Sequence, residues 1–193
     1  MSTFRAELPY RVAITGGSSS GKSYLTREAE AQFPDTCLCL PEVASVVLAE
    51  RTIDQSELDA TTRESIQVEI YRRQVAREDN APTGPMVLCD RGTVDASSYW
   101  PRGPECFWEA VASTLEKELA RYRAVIWLES AAAVGRYQTN RIRTESAQES
   151  WRHGELLKQL WSAHPQLFVI PARVDFSCKA REFFAVLESL RAA

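Results

Sequence analysis

Lysine is scarce in this chain: of 23 basic residues only 4 are Lys, and 19 are Arg. Histidine is scarcer still. Neither His153 nor His164 has ligand spacing to a Cys or to the other, which excludes a His-based metal centre. The five cysteines are odd in number and scattered, and Cys37 and Cys39 form C-x-C, not C-x-x-C. That excludes a regular disulfide framework and points to reduced, partly buried thiols. No apolar run approaches the roughly 20 residues of a membrane span. The N-terminus, Met1 to Arg5, lacks the apolar core of a secretory signal, so a cytoplasmic location with no membrane partner is expected. A net charge of -3 argues against a general nucleic-acid binder while leaving room for a local basic patch.

What is present is 193 residues with 45% hydrophobic character and no internal repeat, enough for one domain over 1–193 with its own core. A homodimer is an admissible state. Short apolar runs alternate with longer amphipathic segments, the pattern of a parallel sheet with crossover helices. The expected strands are Arg11–Thr15, Thr36–Leu40, Met86–Cys89, Ala124–Leu128 and Leu167–Ile170. Thr61-x-x-Glu64 has the capping-box pattern and opens a helix that stops near Asn80. Gly103-Pro104 opens another, with Phe107, Val111, Leu115 and Leu119 at four-residue spacing. Ser146-x-x-Glu149 caps a third, and the last lies near Ser177–Leu190. The expected class is α/β, three-layered, with five strands and at least six helices.

Directly after the first strand comes Gly16-Gly17-Ser18-Ser19-Ser20-Gly21-Lys22-Ser23, followed by Tyr24. This fits the pattern G-x-x-x-x-G-K-(Ser or Thr) in full, in its strand–loop–helix setting. The glycines let successive backbone N–H groups turn toward phosphate oxygens, and the following helix adds its positive end. Lys22 can reach the β- and γ-phosphates of a nucleoside triphosphate, and the Ser23 hydroxyl can ligate Mg²⁺. ATP or GTP is the expected co-substrate.

The third strand ends in Cys89-Asp90, where neighbouring strand ends of a parallel sheet converge. Asp90 is placed to hold Mg²⁺ directly or through water; capping of the next turn is the alternative. Arg91 follows where water-activating ATPases carry a second acid, and neither Asp-x-x-Gly nor Asn-Lys-x-Asp occurs in GTPase positions. Asp90-Arg91-Gly92 is similar to the matching segment of small-molecule and nucleoside kinases, whose Arg contacts phosphate. That favours transfer over hydrolysis.

Glu42, after the second strand, is the candidate carboxylate to orient an acceptor hydroxyl and take its proton; an acid favoured by the dipole of a helix start is the second reading. Gly135 to Glu145 carries Arg136, Arg141 and Arg143. A lid over about 135–148 would bring guanidinium groups to the transferring phosphoryl, whereas a solvated basic loop paired with Glu145 and Glu149 is the plainer reading.

Together these segments, with Leu40-Pro41-Glu42-Val43-Ala44, Gly92 to Tyr99 and Trp161 to Pro165, resemble the NadR-like AAA family of P-loop NTPases. The resemblance runs from about Arg11 to Leu190. It implies a nucleoside-kinase-like core, strand order 2-3-1-4-5 and an Arg-bearing lid, without fixing one substrate. No counterpart of the accessory domains that larger members of that family carry is expected within these 193 residues. Asp95 and Tyr99 fit an acceptor pocket or, equally, a helix-start acid and a packed ring. The leading expectation is a Mg²⁺-dependent kinase acting on a small hydroxyl-bearing metabolite, a nucleoside such as ribosylnicotinamide among the candidates. Lys22, Glu42, Arg91, Arg141 and Arg143 would carry the transfer. The alternative is a nucleotide-dependent binding protein with little kinase activity.

Overall fold

The structure is a computed structural model that describes residues 10–51, 59–136 and 146–192. Five strands, β1 (Arg11–Thr15), β2 (Cys37–Leu40), β3 (Met86–Asp90), β4 (Ala124–Leu128) and β5 (Leu167–Ile170), form one parallel sheet in the order β2-β3-β1-β4-β5. The expected order and strand positions are therefore present. The sequence places β2 one residue early and β3 one residue short, since Asp90 itself closes the strand.

The three central strands are buried along their whole length, while β2 and β5 are not. Continuous apolar runs suit strands covered on both faces, which is why β1, β3 and β4 were legible. Side chains alternate across the sheet. Val12 and Ile14 join Leu25 of α1 (Lys22–Gln32) with Phe183 and Leu187 of α7 (Phe176–Arg191) in one core. Ala13, Val87 and Val125 face the other way, onto Trp161 of α6 (Ala147–Trp161) and Leu119 of α5 (Leu115–Leu119). Helices on both faces make three layers. The remaining helices are α2 (Val43–Arg51), α3 (Ala60–Asp79) and α4 (Pro104–Val111).

Two local expectations are corrected. The cap of α3 is Asp59, whose side chain accepts from the Thr62 backbone N–H, so Thr61 lies inside the helix. The long helix expected from Gly103 is two helices: Ala112 turns left-handed at φ 52°, and Thr114 recaps the chain for α5. The four-residue spacing thus spans two packing sites, Phe107 and Val111 lying with Tyr71 and Trp100, and Leu115 and Leu119 with Trp161. Ser146 and Glu149 do form a capping box on α6.

Candidate functional site

The site is built at the carboxyl ends of β1 and β3, which the register sets side by side: Ile14 pairs Asp90, and Arg91 donates its backbone N–H to Ile14 O at 3.0 Å. From Thr15 the chain enters the glycine loop. Gly16 has φ 132°, and a Cβ there would stand 2.1 Å from the Leu128 carbonyl oxygen, so only glycine fits. Gly21, at φ 94°, is the N-cap of α1 and lies under the Phe176 ring.

Lys22 is 7% exposed and folds back over its own loop, donating to Gly16 O (2.8 Å), Gly17 O (2.9 Å) and Ser20 Oγ (3.1 Å). Burial, with repulsion from Arg91, lowers its pKa to about 8 against the pull of Asp90, Glu42 and Asp95. The back of the loop is tied as well. Ser18 O accepts from Ser130 Oγ (2.6 Å), beyond β4, and from Ser150 Oγ (3.1 Å), on α6.

Ser23 donates its hydroxyl to Asp90 Oδ2 at 2.5 Å. The other carboxylate oxygen, Asp90 Oδ1, is buried with no hydrogen-bond partner. Burial raises the Asp90 pKa, opposed by Lys22 and the Ser23 hydrogen bond. A hydroxyl beside a carboxylate with one free oxygen is an oxygen donor set for a hard divalent cation, completed by phosphate and water. Among the described residues no group of three or more His, Cys, Asp or Glu could hold a metal by itself. The pair therefore fits Mg²⁺ carried in on a triphosphate, and would not retain it alone.

Arg91 occupies a left-handed conformation at φ 75°, uncommon for a side chain of this size. The surroundings hold it there. Its Nε donates to Glu42 Oε1, its Nη1 lies 3.5 Å from Asp95 Oδ2, its guanidinium sits 5.6 Å from the Tyr99 ring centroid, and its carbonyl accepts from Gln74 Nε2 at 3.1 Å. Glu42 also accepts from Ser45 Oγ at 2.6 Å. Burial pushes the Glu42 carboxyl up, but the Arg91 charge and the hydrogen bonds from Ser45 and Arg91 outweigh it and hold the pKa at about 2. Glu42 immediately precedes α2, so its two expected placements coincide.

Asp95 lies in the short 3-10 segment Thr93–Tyr99, only 2% exposed. It accepts from Thr15 Oγ1 (2.9 Å) and Trp161 Nε1 (2.7 Å), which fix its carboxylate beside Arg91 in the wall of the cleft. Tyr99 is 40% exposed and stacks on His153 with centroids 4.1 Å apart. Burial and the nearby Arg91 and Lys22 charges push the His153 pKa down to about 3, so this ring is neutral. His164 is structural: the Gln166 N–H donates to its Nδ1, leaving Nε2 to donate to Tyr122 O.

A cavity of about 660 Å³ joins these groups. It runs from Ser18–Tyr24 past Asp90 and Arg91 to Glu42, then between α2 and α3, where Ile66, Gln67 and Gln74 line it. Ser18 to Tyr24, Glu42, Asp90 and Arg91 of the expected site thus share one cleft, which Asp95 and Tyr99 also line, while Gly16 and Gly17 shape the loop without lining it. Arg141 and Arg143, and with them most of the expected lid, lie outside the described residues. Arg136 is described, and it is exposed. Sequence reasoning missed the supports: Ser130, Ser150, Gln74 and Lys179. Only Lys179 carried a signal, as one of the 4 Lys.

A family model described as an AAA domain matches residues 11–179. The chain belongs to that family. Among solved structures, the NadR protein in complex with NAD and AMP-PNP is similar at a TM-score of 0.65 and 16% identity, over 96% of this chain and 50% of NadR. NadR in complex with NR gives a TM-score of 0.58 over 87% of this chain and 47% of that one, also at 16% identity. A deoxyadenosine kinase from M. mycoides with the products dCMP and dCDP is similar at a TM-score of 0.64 and 13% identity, over 93% of this chain and 99% of the kinase. The chain spans about half the length of NadR. At these identities the likeness is one of fold: a P-loop, nucleoside-kinase-like fold. The comparison with curated proteins gives no match. Among the described residues, no helix is long and apolar enough to cross a membrane.

Proposed function

We propose that the protein binds ATP or GTP with Mg²⁺ in the glycine loop and transfers the γ-phosphoryl group to a hydroxyl of a small metabolite, of which a nucleoside is the favoured class. The observation that carries this reading is the single cleft that runs from the loop to a carboxylate–guanidinium pair, Glu42–Arg91, with space beyond it for a second molecule. A hydrolase needs only a water beside the γ-phosphate. A cleft extended between α2 and α3 serves an acceptor.

In this reading the loop amides and Lys22 hold the triphosphate, Lys22 exchanging its loop carbonyls for phosphate oxygens. Ser23 and the free Asp90 oxygen would hold Mg²⁺, which neutralises charge on the β- and γ-phosphates. The exposed Tyr24 ring, edge-on to Phe176 at 5.6 Å, offers an apolar surface to the base. The acceptor oxygen forms its bond to the γ-phosphorus as the bond to the β-phosphate oxygen breaks, releasing the diphosphate. Because such transition states are loose, positioning and charge stabilisation dominate. A carboxylate with a pKa near 2 is a weak base, so Glu42 acts first by orienting the acceptor hydroxyl and takes its proton late. Arg91, fixed from four sides, stabilises charge on the transferring oxygens. Arg141 and Arg143 would join it from a lid.

The test is a panel of nucleosides and vitamin precursors scored by triphosphate consumption and product mass. A phosphorylated acceptor supports the reading. Tight nucleotide binding without any phosphorylated product would instead support a nucleotide-dependent binding protein.

A further inference from the structure

We propose that Lys179 is a positioning residue of the nucleotide site, pinning the Ser20–Gly21 peptide from behind and supplying, beside Lys22, a positive charge that a bound triphosphate stabilises. The inference rests on the reading of the glycine loop as a triphosphate cradle.

Lys179 projects from α7 and is 3% exposed. Its ammonium donates to two backbone carbonyls, Ser20 O at 2.7 Å and Glu129 O at 2.6 Å. Among the described residues it makes no salt bridge, so a buried cation is held there by neutral oxygens alone. Such a group is costly to bury without a counter-charge. Burial and repulsion from Lys22 accordingly lower its pKa to about 7, with Glu129 and Glu182 pulling the other way.

A ligand with several negative charges on the far side of the loop supplies what the protein withholds. The geometry suits it. Ser20 is held by both lysines, at Oγ by Lys22 and at the carbonyl by Lys179. In a trans peptide C=O and N–H point in opposite directions, so binding Ser20 O to α7 turns the Gly21 N–H away from α7. That N–H stands at the start of α1 and has no place in the helical ladder. Lys179 thus acts through the peptide, without touching the ligand.

The test measures affinities of Lys179→Met, Lys179→Gln and Lys179→Arg for the triphosphate that wild type binds, the diphosphate and the nucleoside, all with Mg²⁺. Lys179→Met should weaken triphosphate about tenfold, the scale of one charge-assisted hydrogen bond, diphosphate less and nucleoside not at all. Lys179→Arg should restore most of the loss. Lys179→Gln keeps a donor without charge and should not restore it, and this pair carries the test if Lys179→Met fails to fold. Equal losses for all three ligands, rescue by Gln, or unchanged affinity would overturn the inference. A wild type that binds neither ATP nor GTP would overturn the parent reading instead.

Discussion

Ser23 and Asp90 meet at 2.5 Å across the mouth of the glycine loop, and the second Asp90 oxygen is buried without a partner. A free carboxylate oxygen in such a place costs stability in the empty protein and is satisfied by a cation. Asp90→Asn should therefore remove most of the Mg²⁺ enhancement of triphosphate binding, roughly tenfold or more. Its melting temperature should stay level or rise, because burial already disfavours the Asp90 charge. Titrating nucleotide with and without Mg²⁺, beside a thermal melt, checks both halves.

Lys22→Ala should abolish detectable transfer and weaken triphosphate binding by about one to two orders of magnitude. The variant should still fold, since the amine's three partners lie within its own loop. Steady-state turnover with circular dichroism separates the two outcomes, and wild-type turnover would refute the assignment.

Glu42→Gln should lower kcat by about 100-fold while leaving the nucleotide KM within about twofold, if the carboxylate orients the acceptor as proposed. It also changes the response to acid. The folded pKa of Glu42, about 2, lies below the usual carboxylate value of 4.5, so the unfolded chain binds the extra proton first. Its contribution to stability is complete above about pH 4.5 and is lost as pH falls through about 2. Denaturant melts across that window should show wild type losing stability relative to Glu42→Gln, with the two converging at the acid end.

Gly16→Ala should destabilise the fold by about 2 kcal/mol or more, since it adds both a strained φ and a collision with the Leu128 backbone. A urea melt measures this. A midpoint within error of wild type would mean that the β1-to-loop turn is not as described.

Much of this was legible from sequence, for identifiable reasons. Apolar runs such as Val12–Ile14 and Val125–Leu128 mark strands buried on both faces, and the Gly16–Ser23 spacing encodes a local conformation. Asp90 and Glu42 were legible because parallel strand ends must converge. What escaped depends on contacts far apart in sequence. Lys179 meets Ser20 across 159 positions, and Trp161 holds Asp95 at the cleft wall from 66 positions off. The break at Ala112 escaped because a left-handed Ala leaves no compositional mark. Arg91 shows both sides. The likeness of Asp90-Arg91-Gly92 to a kinase segment suggested phosphate contact, while the residue's left-handed backbone and four supports emerge only from tertiary packing.

The most direct test of the central claim is to incubate the protein with Mg²⁺ and ATP or GTP, each with a panel of nucleosides, and to weigh the products. The account predicts one acceptor that gains the mass of a single phosphate, in step with diphosphate release and dependent on Lys22. Diphosphate and free phosphate formed at the same rate whether or not an acceptor is present would contradict it.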